Sequence, residues 1–184
     1  SEWLGVPQRR QRLIFIGVRK DLGIEPRFPK PQNERYVVAD ACPDIEYLNC
    51  GPDRKGLQPA TKVVSDSICQ TDGRSRGSTF RVQGLGIVVG PFPDVKDPQE
   101  RSLKVNKKSA KSLGFRYFRA AEEDKLRKFS IPELRRICGF PDDFILTGLY
   151  KQRWERLGRA VPPPMAKAIG LTALEILEDA YKKC

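Results

Sequence analysis

The stretch GVPQRRQRLIFIGV, residues 5–18, joins two unlike patterns. Its second half, Gln11 to Val18, is a near-continuous apolar run with β-branched residues, bounded by charge, and reads as a strand buried on both faces. Such a strand belongs inside a sheet with neighbours and helices on both sides, yet nothing before residue 11 provides them. The first half sets Gln8, Arg10 and Arg12 at alternate positions. In extended backbone these point to one side, so an amide and two guanidinium groups are expected to converge at the sheet edge. Arginine's planar fork suits a phosphate, a carboxylate or a base edge, whereas basic residues that simply cap a strand end are the plainer reading.

Working outward, residues from about Asp21 to Asp124 are rich in Pro, Gly and charge. Short strand-like runs lie at Thr61 to Val64, Ser78 to Val82, Gly86 to Val89 and Phe115 to Phe118, separated by turns such as Thr71-Asp72-Gly73. Irregular β-structure with long loops is expected there. The last third is helical. Ser130-Ile131-Pro132-Glu133 is a capping box with proline in the first turn, and Ile131, Leu134, Ile137 and Cys138 follow at helical spacing before Gly139 ends the helix. A second helix is expected over Leu149 to Leu157. A long third one starts at Pro162-Pro163-Pro164 and runs to about Tyr181. Trp3 and Trp154 read as packing anchors.

The chain has 184 residues and a formal net charge of +11, with no histidine. That composition excludes a Ser-His-Asp or Cys-His hydrolase and a histidine-built metal centre. The five cysteines show no C-x-x-C spacing, so reduced thiols in a cytoplasmic protein are expected, with no metal. No run approaches the roughly 20 apolar residues of a membrane helix. Met165 is the only methionine, so Ser1 is not an initiator. Seven cations, Arg101, Lys104, Lys107, Lys108, Lys111, Arg116 and Arg119, occur without an intervening acid and read as a phosphate-facing surface, against the blander reading of a solvated loop. Residues 71–81, with Arg74, Arg76 and Arg81 among small residues, are the best candidate for a base-reading loop, a plain surface loop being the alternative.

Three blocks, taken together and in order, carry a resemblance. Gly5-Val6-Pro7-Gln8-x-Arg10-x-Arg12 precedes an apolar run. Arg127-Lys128-Phe129-Ser130-x-x-Glu133 precedes Gly139-Phe140-Pro141-Asp142. Gly158-Arg159-Ala160-Val161-Pro162-Pro163 closes the series. This arrangement resembles the last three conserved blocks of the DNA cytosine-5 methyltransferase family. It implies an α/β fold: the C-terminal portion of a Rossmann-like, S-adenosylmethionine-dependent methyltransferase with an irregular, mainly β target-recognition domain. Residues 1–20 would belong to the catalytic domain, 21–120 to the recognition domain, and 121–184 to helical elements returning to the catalytic domain.

By the same resemblance, Arg12 meets the Watson-Crick side of a flipped cytosine, and Gln8 and Arg10 hold the pocket and the DNA backbone. Arg127 and Glu133 organise the recognition domain against the catalytic one, and Gly158, Arg159, Ala160 and Val161 close over S-adenosylmethionine. The implied partners are double-stranded DNA and an N-terminal catalytic half. The setting would be bacterial or phage restriction-modification. Arg159 stands where the family usually has Asn, and Ser130 where it usually has Thr. The family's Phe-x-Gly-x-Gly loop, Pro-Cys nucleophile and Glu-Asn-Val block do not occur in this sequence, so the chain is expected to be inactive alone. A stand-alone, non-catalytic DNA-binding module on the same scaffold is the alternative, and the RNA-directed branch of the superfamily is a third reading.

Overall fold

The computed structural model describes residues 2–10, 12–49, 57–63, 65–66, 87–105 and 124–183. In chain order their regular elements are β1 (Gln8–Arg9), α1 (Val38–Ala41), β2 (Tyr47–Asn49), β3 (Leu57–Pro59), β4 (Ser65–Asp66), β5 (Ile87–Val89), β6 (Leu126–Lys128), α2 (Ile131–Ile137), α3 (Tyr150–Arg159) and α4 (Pro163–Lys183).

The helical third follows its sequence signals. Ser130 caps α2, its hydroxyl accepting from the Glu133 amide at 3.4 Å while the Glu133 carboxylate accepts from the Ser130 amide at 2.8 Å. Both partners thereby satisfy amides that a helix start leaves open. Gly139 follows α2 at φ +76°, and a Cβ there would lie 2.6 Å from Pro164 Cδ. Only glycine meets both demands. Leu134 and Ile137 form the buried stripe of α2 and, with Cys138 at its C-cap, share a core with Leu157 of α3. Tyr150 ties the start of α3 to the strand layer by donating from its hydroxyl to Phe129 O at 2.6 Å. Trp154 packs against the same core beside Tyr150, as an anchor should, with ring centroids 5.8 Å apart.

β3, β2, β5 and β6 form a four-stranded antiparallel sheet in that order. Val88 stands opposite both Leu48 and Arg127. All three residues of β5 are buried, because their alternating side chains enter two clusters. Val88 joins Val38, Leu48, Phe129, Leu134 and Leu157, while Ile87 and Val89 pack with Val105 and Leu126. Each such side chain contributes about 1.5–3 kcal/mol by leaving water. A second ladder, short and parallel, joins β1 to β4.

Two expectations need correction. The apolar run ending at Val18 is not a strand buried on both faces. Residues 12–18 belong to no ladder among the described residues. Burial alternates along them: Ile14, Ile16 and Val18 are half-buried, but Leu13 and Phe15 are 83% and 86% exposed. The side chains keep the period of a strand, but a ladder also needs a neighbouring backbone edge. Of the β-like run at 61–64, Thr61 and Lys62 instead lie in a 3-10 turn, Ala60–Lys62, after Pro59, and residue 64 lies outside the described residues. Val63 O then accepts from the Val38 amide at 2.7 Å and draws the turn onto α1. The runs at 78–82 and 115–118 lie outside the described residues.

Candidate functional site

Three stretches far apart in sequence meet around Pro164 and Cys138. Gly5, at φ +78°, and Gly139 both approach Pro164, with ideal Cβ positions 3.6 Å from its Cβ and 2.6 Å from its Cδ respectively. Gln8 Nε2 donates to Cys138 Sγ at 3.6 Å, and the same sulfur lies 3.9 Å from Leu157 O. The opening segment, the end of α2 and the link from α3 to α4 therefore form one packed junction.

Gln8 and Arg10 are buried there. Burial pushes the Cys138 thiol up to about 11, against the opposing pull of the Gln8 hydrogen bond and the Arg10 charge. The thiol is therefore protonated near neutral pH and serves as a weak neutral partner for the amide. Of the three residues expected to converge, Gln8 and Arg10 share the buried side, whereas Arg12 is exposed. Two tight turns, Gln8 N to Val6 O at 2.7 Å and Arg10 N to Gln8 O at 3.1 Å, kink the segment while Gln8, Arg9 and Arg10 still alternate buried, exposed and buried.

Arg127 and Glu133 join the sheet to α2. The Arg127 side chain is 0% exposed. It makes a bidentate pair with Glu133 at 2.6 and 2.8 Å and donates from Nε to Pro91 O at 2.8 Å. One carboxylate thus anchors the helix cap, the β6 arginine and, through it, the turn after β5.

A second ionic cluster was not signalled by the sequence, since its members come from separate elements with no shared motif. Arg135 donates to Glu100 at 2.9 Å, and Arg153 pairs with Asp97 at 2.7 Å and Glu100 at 3.2 Å. The Gln99 backbone amide, then Arg153, hold the Asp97 carboxyl below the usual carboxylate range. These groups line an open cavity of about 470 Å³ with Asp142, Asp143 and Thr147. Cys138 and Pro164 read in the sequence only as parts of helix boundaries, and their meeting with Gln8 and Gly5 depends on the packing of distant segments.

Gly158 is buried in the last turn of α3, and Arg159 is exposed and paired with Glu155 at 2.6 Å. Ala160 lines an apolar cavity of about 310 Å³ with Phe140, Phe144, Leu146 and Leu157. Val161 is exposed. Of the candidate DNA-facing cations, Arg101 and Lys104 are exposed on the segment beside β6, and Lys104 pairs with Asp124 at 3.2 Å. Arg74, Arg76, Arg81, Lys107, Lys108, Lys111, Arg116 and Arg119 lie outside the described residues. Among the described residues no group of three or more Cys, Asp or Glu is placed to hold a metal, and no helix is long and apolar enough to cross a membrane.

The sequence profile of C-5 cytosine-specific DNA methylase matches residues 1–175. The chain belongs to that family. Its relatives include the Type II methyltransferase M1.HphI of Haemophilus parahaemolyticus, 28% identical over 94% of this chain and 45% of that protein. M.PspPI of a Psychrobacter species is 30% identical over 96% of this chain and 44% of its own. M.FnuDI of Fusobacterium nucleatum is 30% identical over 97% and 54%. The chain spans about half the length of the curated relatives it matches, and the match falls on their C-terminal part. The family match covers all three stretches that meet around Pro164.

Proposed function

We propose that the chain works as the C-terminal part of a DNA cytosine-5 methyltransferase. It binds duplex DNA and helps to hold a flipped cytosine while the methyl group of S-adenosylmethionine passes to C5. The reading is carried by the junction itself: three separated family blocks pack on Pro164 and Cys138. The base must leave the helix because its C5 and C6 atoms cannot be reached inside the stack.

Within this reading, buried Gln8 and Arg10 fix the path of the segment, and exposed Arg12 is the group that meets the base edge. Residues 1–20 and 121–184 belong to the catalytic side, which supports a Rossmann-like sheet, and 21–120 to target recognition. Arg74, Arg76 and Arg81 read bases, while Arg101, Lys104, Lys107, Lys108, Lys111, Arg116 and Arg119 face phosphates. Arg127 and Glu133 keep the recognition sheet registered against the helices.

S-adenosylmethionine is the cofactor that the family implies, and it supplies the methyl group when bound. The stretch Gly158, Arg159, Ala160 and Val161 fits a closing wall better than a complete site, because Ala160 lines an apolar cavity and Arg159 turns to Glu155. That wall excludes water and leaves the polar ends of the cofactor to other residues. Neither Cys42 nor Cys138 is the nucleophile. Burial pushes their thiols up to about 12 and about 11, opposite to what a reactive thiolate needs. The nucleophile is supplied by the N-terminal portion that the relatives carry, and this chain transfers no methyl group alone.

Equilibrium binding to a labelled duplex across a salt series tests the DNA role. Log affinity should fall with log salt by about 0.9 per phosphate contacted, and tRNA should compete poorly. Absence of duplex binding at low salt, or preference for tRNA, would overturn it.

A further inference from the structure

The ionic cluster on Arg135 and Arg153 has a segment to hold. After β5 the chain leaves the sheet at Pro91, whose carbonyl accepts from Arg127, and returns to the edge strand β6 only at Leu103, whose carbonyl accepts from the Lys128 amide at 2.8 Å. Between them lies a 3-10 turn, Pro98–Glu100. Asp97 accepts from the Gln99 amide at 2.8 Å and pairs with Arg153 at 2.7 Å. Gln99 Oε1 accepts from the Tyr150 amide at 3.1 Å, satisfying one of the amides that the start of α3 leaves open. Glu100 meets Arg135 of α2 at 2.9 Å and Arg153 of α3 at 3.2 Å. Arg101 follows directly, exposed, its Nε donating to Val95 O at 3.1 Å.

Such a cluster is a poor source of stability. The side chains of Arg135, Arg153 and Glu100 are only 7%, 10% and 17% exposed, and taking their charges out of water offsets most of what their attraction returns. What it does supply is geometry. Arg153 Nη1 meets both the Asp97 and the Glu100 carboxylate, so neither end of the turn can shift without losing the shared nitrogen. We infer that Asp97, Glu100 and Arg153 are positioning residues: they fasten residues 97–101 to α2 and α3 so that the Arg101 guanidinium meets one backbone phosphate of bound duplex DNA. This rests on the proposed phosphate-facing role of Arg101.

Duplex binding across a salt series separates this role from a structural one. Arg101→Ala removes one phosphate contact, so the slope of log affinity against log salt should become shallower by about 0.9, and binding about eightfold weaker at about 0.1 M salt. Asp97→Ala should do nearly the same, although it removes an acid and so raises the net positive charge. Long-range attraction alone predicts the opposite sign, tighter binding. Asp97 is 43% exposed, so this variant should fold with an unfolding midpoint close to that of wild type. The double variant Asp97→Ala, Arg101→Ala should bind no more weakly than Arg101→Ala, because both changes remove the same contact. Wild-type affinity and slope for Asp97→Ala would overturn the inference, as would losses that add in the double variant. A wild-type slope for Arg101→Ala would instead overturn the phosphate-facing reading of Arg101, on which the inference rests.

Discussion

Glu133→Gln is the substitution with the largest expected effect on the fold. The carboxylate accepts from Arg127 Nη1 and Nη2 at 2.8 and 2.6 Å, from the Ser130 amide at 2.8 Å and from the Ser130 hydroxyl at 2.9 Å. Glutamine keeps the shape and one oxygen acceptor but removes the charge, which leaves the guanidinium of Arg127 buried and uncompensated. Breaking a buried pair in this way costs about 3–5 kcal/mol. Against a total stability of about 5–15 kcal/mol, that is a large share. For a chain of this size each kcal/mol moves the unfolding midpoint by about 2–4 °C, so a fall of at least ~6 °C is expected. Urea unfolding followed by far-UV circular dichroism measures the loss directly. The double variant Arg127→Met, Glu133→Leu should recover part of it, because two apolar groups leave no unpaired charge. A loss below about 1 kcal/mol for Glu133→Gln would refute the claim that this pair holds sheet and helix together.

Two further outcomes follow from the geometry. Gly139→Ala should destabilise by about 1–3 kcal/mol in scanning calorimetry, because φ is +76° and the new methyl would meet Pro164. Gly170→Ala, in open space within α4, should leave the chain as stable or more so, by up to about 1 kcal/mol. Equal effects at the two glycines would contradict the packing of Gly139 on Pro164. Stability should also fall in alkali. The thiols of Cys42 and Cys138 are raised in the folded state to about 12 and about 11, from an ordinary value near 9. The unfolded chain therefore releases protons first as pH rises, so their contribution is full below about pH 9 and is lost as pH climbs through 11–12. Urea midpoints from pH 7 to 11 check the sign, and Cys42→Ala, Cys138→Ala should flatten the alkaline limb.

The helices of the last third were legible in the sequence because their ends carry chemistry, whereas α1, four residues long, was not. A capping box at Ser130, a left-handed glycine at 139 and a proline run at 162–164 each fix a boundary by backbone demands alone. β2, β3 and β6 were not legible, since three residues are too short for alternation to show and their pairing partners are distant. QRLIFIGV misled for a related reason. Its side chains specify a buried strand, but the ladder depends on a backbone edge that no local pattern encodes. The order of the three blocks pointed to the family, whereas their convergence on Pro164 and Cys138 depends on three-dimensional packing. The burial of Arg10 was equally invisible, because an arginine beside a strand end is usually solvated.

Methyl transfer to cytosine C5 tests the central claim most directly. Radiolabelled S-adenosylmethionine and duplex DNA are supplied with this chain, with an N-terminal portion of a relative, and with both together. The proposed role predicts label at C5 only in the combined reaction, and at least a tenfold loss when Arg12→Ala replaces wild type although duplex binding persists. Label transferred by this chain alone would contradict it, as would a combined reaction that binds duplex DNA and transfers nothing, the behaviour of a stand-alone binding module.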